Sequence, residues 1–224
     1  MVKSRGLMGA SFISSLDANY RREAATLRAV DRMFLHIYQK ITSLGVLNDT
    51  YFIFASDNGW MWGDQRIPAG KGWSYRQVMQ NSLVIRGPGI TAGERVDALV
   101  NNADFAPTIA ELAGATPSGK VDGRSFAGPL TGSGAWARRS MPANYLHEAP
   151  QVPTWRGVAS DRYAYQYYPD TSEDELYDLV SDPNRLKNIA PSSGATVTAL
   201  RSLAERLNSC SGATCRTLED QPLP

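Results

Sequence analysis

Between Tyr51 and Gly59 the chain reads Tyr51-Phe52-Ile53-Phe54-Ala55-Ser56-Asp57-Asn58-Gly59, and this stretch restricts the fold more than any other. Aromatic and β-branched residues run together, then give way to polar turn formers. A run this short reads as a strand buried on both faces. Asp57 and Asn58 then emerge at its carboxyl end, the edge where open α/β sheets bind ligands. A carboxylate and an amide oxygen are hard donors suited to Ca2+ or Mg2+. Lys71, between Gly70 and Gly72, adds a compact positive charge on a backbone that can approach an anion closely. A hard cation beside a lysine suits an oxyanion ester. Asp-Asn-Gly is by itself also a common turn sequence, because Asn and Gly tolerate positive φ.

The flanking segments complete an α/β pattern. From Asp17 or Asn19, either a fair N-cap, apolar positions Tyr20, Ala24, Leu27, Val30, Phe34, Ile37, Ile41 and Leu44 recur every three or four residues. The spacing predicts a long amphipathic helix laid on the sheet and ended by Gly45, with residues 1–16 irregular and His36 off the stripe. The loop from Ser56 to about Tyr75 is long and rich in Gly and Trp, as functional loops are. It is no P-loop, since Gly72 stands after Lys71 where Ser or Thr is required. Ser82 to Ile85 and Arg95 to Val100 read as two further strands, and Asp104 as the cap of a helix that stops at Gly114.

Gly, Pro, Ser and Thr dominate from Gly114 to Gly134, which marks a domain boundary. Residues 1–134 form the larger α/β part and 135–224 a small α+β part. In the latter, 143–148, 155–159, 162–168 and 176–179 read as short strands. A helix bearing Val197, Leu200, Leu203, Ala204 and Leu207 covers one face of that antiparallel sheet. With a net charge of +1, nothing favours nucleic acid or an anionic membrane as a partner. No apolar run approaches the roughly 20 residues of a membrane span, and the first residues do not read as a signal peptide. Cys210 and Cys215 could close a disulfide, implying an oxidising compartment, or remain two free thiols.

Several of these pieces resemble, in order, the carboxyl-terminal half of a type I sulfatase of the alkaline-phosphatase superfamily. They are Phe54-Ala55-Ser56-Asp57-Asn58-Gly59, the loop Gly63 to Gly72, Leu83-Val84-Ile85-Arg86-Gly87-Pro88-Gly89-Ile90 and Asn102-Ala103-Asp104-Phe105-Ala106-Pro107-Thr108. Trp155-Arg156-Gly157-Val158, Glu175-Leu176-Tyr177-Asp178-Leu179 and Ser181-Asp182-Pro183 match the family's tail. The resemblance implies part of a doubly wound mixed sheet followed by a small antiparallel-sheet subdomain. It further implies hydrolysis of a sugar or aryl sulfate ester, with Asp57 and Asn58 as metal ligands, Ca2+ ahead of Mg2+, and Lys71 as the sulfate-contacting lysine. His147, on a strand of the annex, is a candidate substrate contact, because loops there wall the pocket in relatives.

The family's nucleophile is a formylglycine made from a Cys/Ser-x-Pro/Ala-x-Arg motif, and neither cysteine of this chain is followed two places later by Pro or Ala with Arg beyond it. The family's other paired aspartates are also missing. Two protein oxygens support poorly a cation that takes six to eight. The resemblance therefore implies a fragment that is inactive alone and pairs with an amino-terminal half. Met61 and Gln65 stand where relatives often carry a histidine, and Arg76, Gln77 and Gln80 also depart from the family pattern. Relatives are usually extracytoplasmic. A phosphate or phosphonate monoester hydrolase of the same superfamily would share Asp57 and Asn58, and a non-catalytic binding fragment would explain the absent nucleophile.

Overall fold

The computed structural model describes residues 5–146 and 152–224, and the chain divides into two compact units. The first comprises Met1–Trp73 with Gln77–Ala92, and the second Ser74–Arg76 with Gly93–Pro224. The Gly/Pro/Ser/Thr-rich stretch from Gly114 to Gly134 lies inside the second unit.

The first unit opens with helix α1, Ala10–Ser43. It starts earlier than the sequence suggests, because Gly9 caps it without a side-chain bond and Asp17 and Asn19 fall inside. Its end is as expected. Gly45 takes φ +73 and donates its N–H to Thr42 O at 3.0 Å, while Val46 N reaches Ile41 O at 3.4 Å. This paired closure requires a left-handed residue and therefore favours glycine. Strand β1 (Phe52–Ala55) follows, then the short helix α2 (Arg76–Met79) and strand β2 (Leu83–Arg86). The two strands pair antiparallel, Phe52 opposite Arg86 and Ala55 opposite Leu83.

The expectation of a strand buried on both faces does not hold for β1. Phe52 is buried, whereas Phe54 is 40% exposed. A hydrophobic run reports what a strand needs, not how many neighbours it has, and this one has a single partner. The α1 stripe meets the same limit. Phe34 and Tyr38 pack their rings on Phe52 at 5.5 and 5.9 Å. A helix of this length is about 51 Å long, while strands of four residues span about 13 Å. Leu16 is its one residue classed as buried, and Tyr20, Leu27, Ile37 and Leu44 remain largely exposed.

In the second unit, residues 95–100 form no strand. Their alternation is suitable, but no ladder partner is present among the described residues, and Leu99 O accepts from the Arg138 side chain instead. Helix α3 (Phe105–Leu112) is followed by the short α4 (Ala127–Leu130). A meander of four strands comes next: β3 (Ser140–Tyr145), β4 (Trp155–Ser160), β5 (Tyr163–Tyr168) and β6 (Glu173–Asp178), paired in that order and antiparallel. Helix α5 (Gly194–Ser209) lays Leu200, Leu203, Ala204 and Leu207 on Val158, Tyr163, Tyr165 and Leu176. Cys210 and Cys215 are disulfide-bonded, and the bridge leads into α6 (Ala213–Glu219).

Asp104 stands at the N-cap position of α3 but makes no side-chain cap bond there. Its carboxylate is fully buried and grips the Arg138 guanidinium, with Arg138 Nη2 donating to Oδ1 at 2.8 Å. It also accepts from Asn101 N and Arg124 N, both at 2.8 Å. Arg138 Nε donates to Glu219 Oε2 at 2.9 Å, and Arg124 Nη2 reaches the same oxygen at 3.1 Å. One ionic knot thus joins the start of α3, the lead into β3 and the end of α6.

The other polar cluster of this unit gathers on β5 and β6. Gln166 and the Tyr168 hydroxyl both donate to Glu175 Oε2, at 2.7 and 3.3 Å, and Tyr168 also meets the Ser74 hydroxyl at 3.1 Å. Burial first, and the Glu175 charge second, push the Tyr168 and Tyr177 phenols well above their ordinary value of 10.0. Burial, and then the hydrogen bond to Asp174, do the same for Tyr165. These phenols stay protonated in the folded chain at pH values where the unfolded chain has lost those protons. Stability contributed by them is therefore complete below about pH 10 and falls as pH rises beyond it. An absorbance titration of the ten tyrosines should show Tyr165, Tyr168 and Tyr177 ionising in step with loss of circular dichroism. Ionisation of all ten before any unfolding would contradict that.

Candidate active site

Ser56 follows the last residue of β1 and donates its hydroxyl to Asn58 O at 2.7 Å. The Asp57 carboxylate accepts from Asn58 N, the next residue along the chain, at 2.9 Å. Asn58 Nδ2 donates to Gly59 O at 3.0 Å. Gly59 N in turn donates to Val78 O at 2.8 Å, which ties the turn to α2. Asp57 is exposed and Asn58 half-buried.

Lys71 is returned to this turn by a narrow neck. Met61 and Gly70 pair as an antiparallel bridge, with N–H to O distances of 2.8 and 3.3 Å. Met61 is fully buried, so the neck is anchored in the unit. Lys71 follows the neck immediately, and its Nζ donates to Asn58 Oδ1 at 3.1 Å. Two of the residues marked from sequence are therefore in direct contact, and Asp57 is hydrogen-bonded to the backbone of one of them. His147 lies outside the described residues.

Residues 62–69 form a tongue beyond the neck. Asp64 holds its base, accepting from Gln77 Nε2 at 3.1 Å and from Trp62 N at 3.3 Å. At the tip Gln65 and Arg66 take φ +50 and +59, uncommon values for residues with side chains. Arg66 is exposed and donates to Arg5 O at 2.8 Å. Sequence reasoning marked neither the Asp64–Gln77 bond nor the bridge. The Gly63-Asp64 turn and the two small residues before Lys71 were the available hints.

As a cation site this is a partial one. Both donors are hard oxygens, and the Asn58 oxygen already faces a positive charge, the Lys71 ammonium, so the donor chemistry fits Ca2+ or Mg2+. The number of donors does not complete a shell. Among the described residues no cluster of three or more His, Cys, Asp or Glu could hold a metal. Two cavities of about 440 and 550 Å3 lie in the second unit, and neither is lined by Asp57, Asn58 or Lys71. The turn and the lysine stand on open surface of the first unit. By themselves they do not enclose a substrate.

Residues 61–212 match the family described as N-sulphoglucosamine sulphohydrolase, C-terminal. The chain is 30% identical to N-acetylglucosamine-6-sulfatase of Bos taurus over 241 residues, covering 92% of this chain and 43% of the relative. It is 32% identical to an arylsulfatase of Volvox carteri, covering 89% and 36%. A solved structure in complex with its substrate D-glucosamine-2-N,6-O-disulfate superposes with a TM-score of 0.75 and 25% identity, over 86% of this chain and 40% of that one. The phosphonate monoester hydrolase of Agrobacterium radiobacter superposes with a TM-score of 0.64 and 27% identity, over 80% and 38%. The chain spans less than half the length of these relatives. Its mixed α/β architecture with antiparallel sheets is that of their carboxyl-terminal regions. The chain belongs to the type I sulfatases of the alkaline-phosphatase superfamily and carries their carboxyl-terminal part.

Proposed function

We propose that this chain contributes the lysine and part of the metal shell of a sulfuric ester hydrolase acting on a sulfated sugar. The contact that carries this reading is Lys71 Nζ on Asn58 Oδ1 at 3.1 Å, with Asp57 beside it. Asp57 and Asn58 would hold a divalent cation, Ca2+ ahead of Mg2+. When bound, that cation neutralises charge on the oxygens of the ester sulfate. Lys71 binds a sulfate oxygen and orients the group as a mobile point charge.

The nucleophile comes from elsewhere. Both cysteines of this chain are committed to the Cys210–Cys215 bridge and neither begins a Cys-x-Pro/Ala-x-Arg element, while Ser181-Asp182-Pro183-Asn184-Arg185, which fits the serine form, lies in the turn after β6, where the Ser181 hydroxyl donates to Asp178 O at 3.4 Å. The activity belongs to a protein in which this chain is joined to, or paired with, an amino-terminal half that bears formylglycine. That half would also cover the exposed apolar residues of α1 and of Phe54 and Val84. Relatives named for N-acetylglucosamine-6-sulfate and for glucosamine disulfate support a sugar sulfate over an aryl one. The disulfide suits an oxidising, extracytoplasmic location, and one relative is named an extracellular sulfatase.

A second reading, phosphonate or phosphate monoester hydrolysis, is favoured by the likeness to the Agrobacterium enzyme. Paired rates on 4-nitrophenyl sulfate and phenylphosphonate separate the two. Protein purified from its native cells should turn over the sulfate ester at least about tenfold faster, a preference of about 1.4 kcal/mol. The 224-residue chain alone should be inactive on both. A preference for the phosphonate would replace the sulfatase reading, and turnover by the isolated chain would remove the need for a second half.

A further inference from the structure

An amide coordinates a hard cation through its oxygen, never through its nitrogen. In Asn58 that oxygen is the atom on which the Lys71 ammonium sits. The nitrogen end is occupied by Gly59 O, so the amide is fixed with Oδ1 toward the lysine. The Asp57 carboxylate is held alongside by Asn58 N. An ammonium thus rests where the proposed metal would draw one of its ligands.

We propose that Lys71 is a placeholder cation, which a divalent ion displaces from Asn58 Oδ1 on binding, and which is thereby released to take an oxyanion. The inference rests on Asp57 and Asn58 being metal ligands, as proposed above. A doubly charged ion at the Asn58 oxygen repels an ammonium at hydrogen-bond distance even in water. Lys71 can respond because it is exposed at the end of a flexible four-carbon stem. No covalent bond changes, and a single hydrogen bond is exchanged for a metal–oxygen contact.

Two consequences follow by linkage. The metal-free site spends its lysine on Asn58 and binds sulfate weakly. The cation and the oxyanion raise each other's affinity by the same factor, because the ion frees the group that the anion uses.

Calorimetric titration of Ca2+ into the full chain tests this, with wild type, Lys71→Met and Asp57→Asn compared in about 0.5 M KCl. At that ionic strength the screening length is about 4 Å, so removing a merely distant charge has little effect. Lys71→Met should bind Ca2+ about five-fold more tightly, the worth of one exposed hydrogen bond no longer broken. Asp57→Asn should bind at least about tenfold more weakly, having lost the charged donor. If Asp57→Asn weakens binding while Lys71→Met leaves it equal or weaker, the placeholder role is overturned and the metal site stands. If Asp57→Asn has no effect, the metal reading itself fails. Absence of Ca2+ uptake in wild type and Lys71→Met alike, up to millimolar concentrations, overturns both. Lys71 is exposed, so its replacement does not threaten folding, and circular dichroism checks that.

Discussion

Replacing Arg138 with methionine is expected to cost about 3–5 kcal/mol of stability, because it strands two buried carboxylates. The Arg138 and Asp104 side chains are both 0% exposed, and that of Glu219 is 3%. Arg138 serves both acids, through Nη1 and Nη2 to Asp104 and through Nε to Glu219. In the native chain burial pushes the Glu219 carboxyl above its ordinary 4.5, while Arg138 and Arg124 pull it back. Without Arg138 it rises further. A carboxyl raised in the folded state adds stability below the unfolded value and loses it as pH rises through the folded one. The variant should therefore be less handicapped near pH 4.5 than near pH 8. Denaturant melts followed by circular dichroism at the two pH values measure both effects. Adding Asp104→Asn and Glu219→Gln should recover part of the loss, since paired neutralisation removes the stranded charges. A deficit under about 1 kcal/mol would mean that the pocket admits water and that the knot is peripheral.

Gly59→Ala is expected to disable the candidate active site without touching any of its side chains. A Cβ built on Gly59 lies 1.9 Å from Gln77 O and 2.9 Å from Gln77 C. These are backbone atoms and cannot rotate aside. The φ of Gly59 lies outside the left-handed region, so glycine is needed here for the close approach and not for its torsion. The added methyl must push the Asp57–Asn58 turn away from α2, breaking the Gly59 N to Val78 O bond of 2.8 Å. Overpacking of this kind costs about 1–3 kcal/mol. A displacement of about 1 Å at a catalytic group lowers turnover by roughly 100-fold. Sulfate ester hydrolysis by the complete protein should therefore fall by that order, and Ca2+ affinity of the chain should fall with it. Full activity in Gly59→Ala would show that the turn does not position the reacting groups.

What could be read from the sequence was whatever depends on neighbours along the chain. The period of α1, its closure at Gly45, and the one-sided apolar face of α5 all follow from spacing and one residue's torsional freedom. The first two turns of α1 were missed because Gly9 leaves no side-chain cap to notice. Arg95 to Val100 alternates like a strand, yet alternation cannot supply the partner that a ladder needs. Asp104 shows the same limit at a single residue. An acid before a helix looks like a cap, and its true partner is 34 positions away. At the candidate site the order Asp57, Asn58, Lys71 was legible because it matched a family pattern. The bridge that brings Lys71 home was not, since one residue pair between tryptophans and a proline-containing turn gives no period.

The neck formed by Met61 and Gly70 separates two design problems. Because the chain is pinned at that crossing, whatever happens at positions 62–69 is insulated from the reach of Lys71. The outer tip is free to be exchanged, lengthened or recoloured chemically while the ionic grip beneath it stays constant. Under the function proposed above, ester preference could then be changed by swapping a removable fingertip, with no retuning of the lysine beneath it.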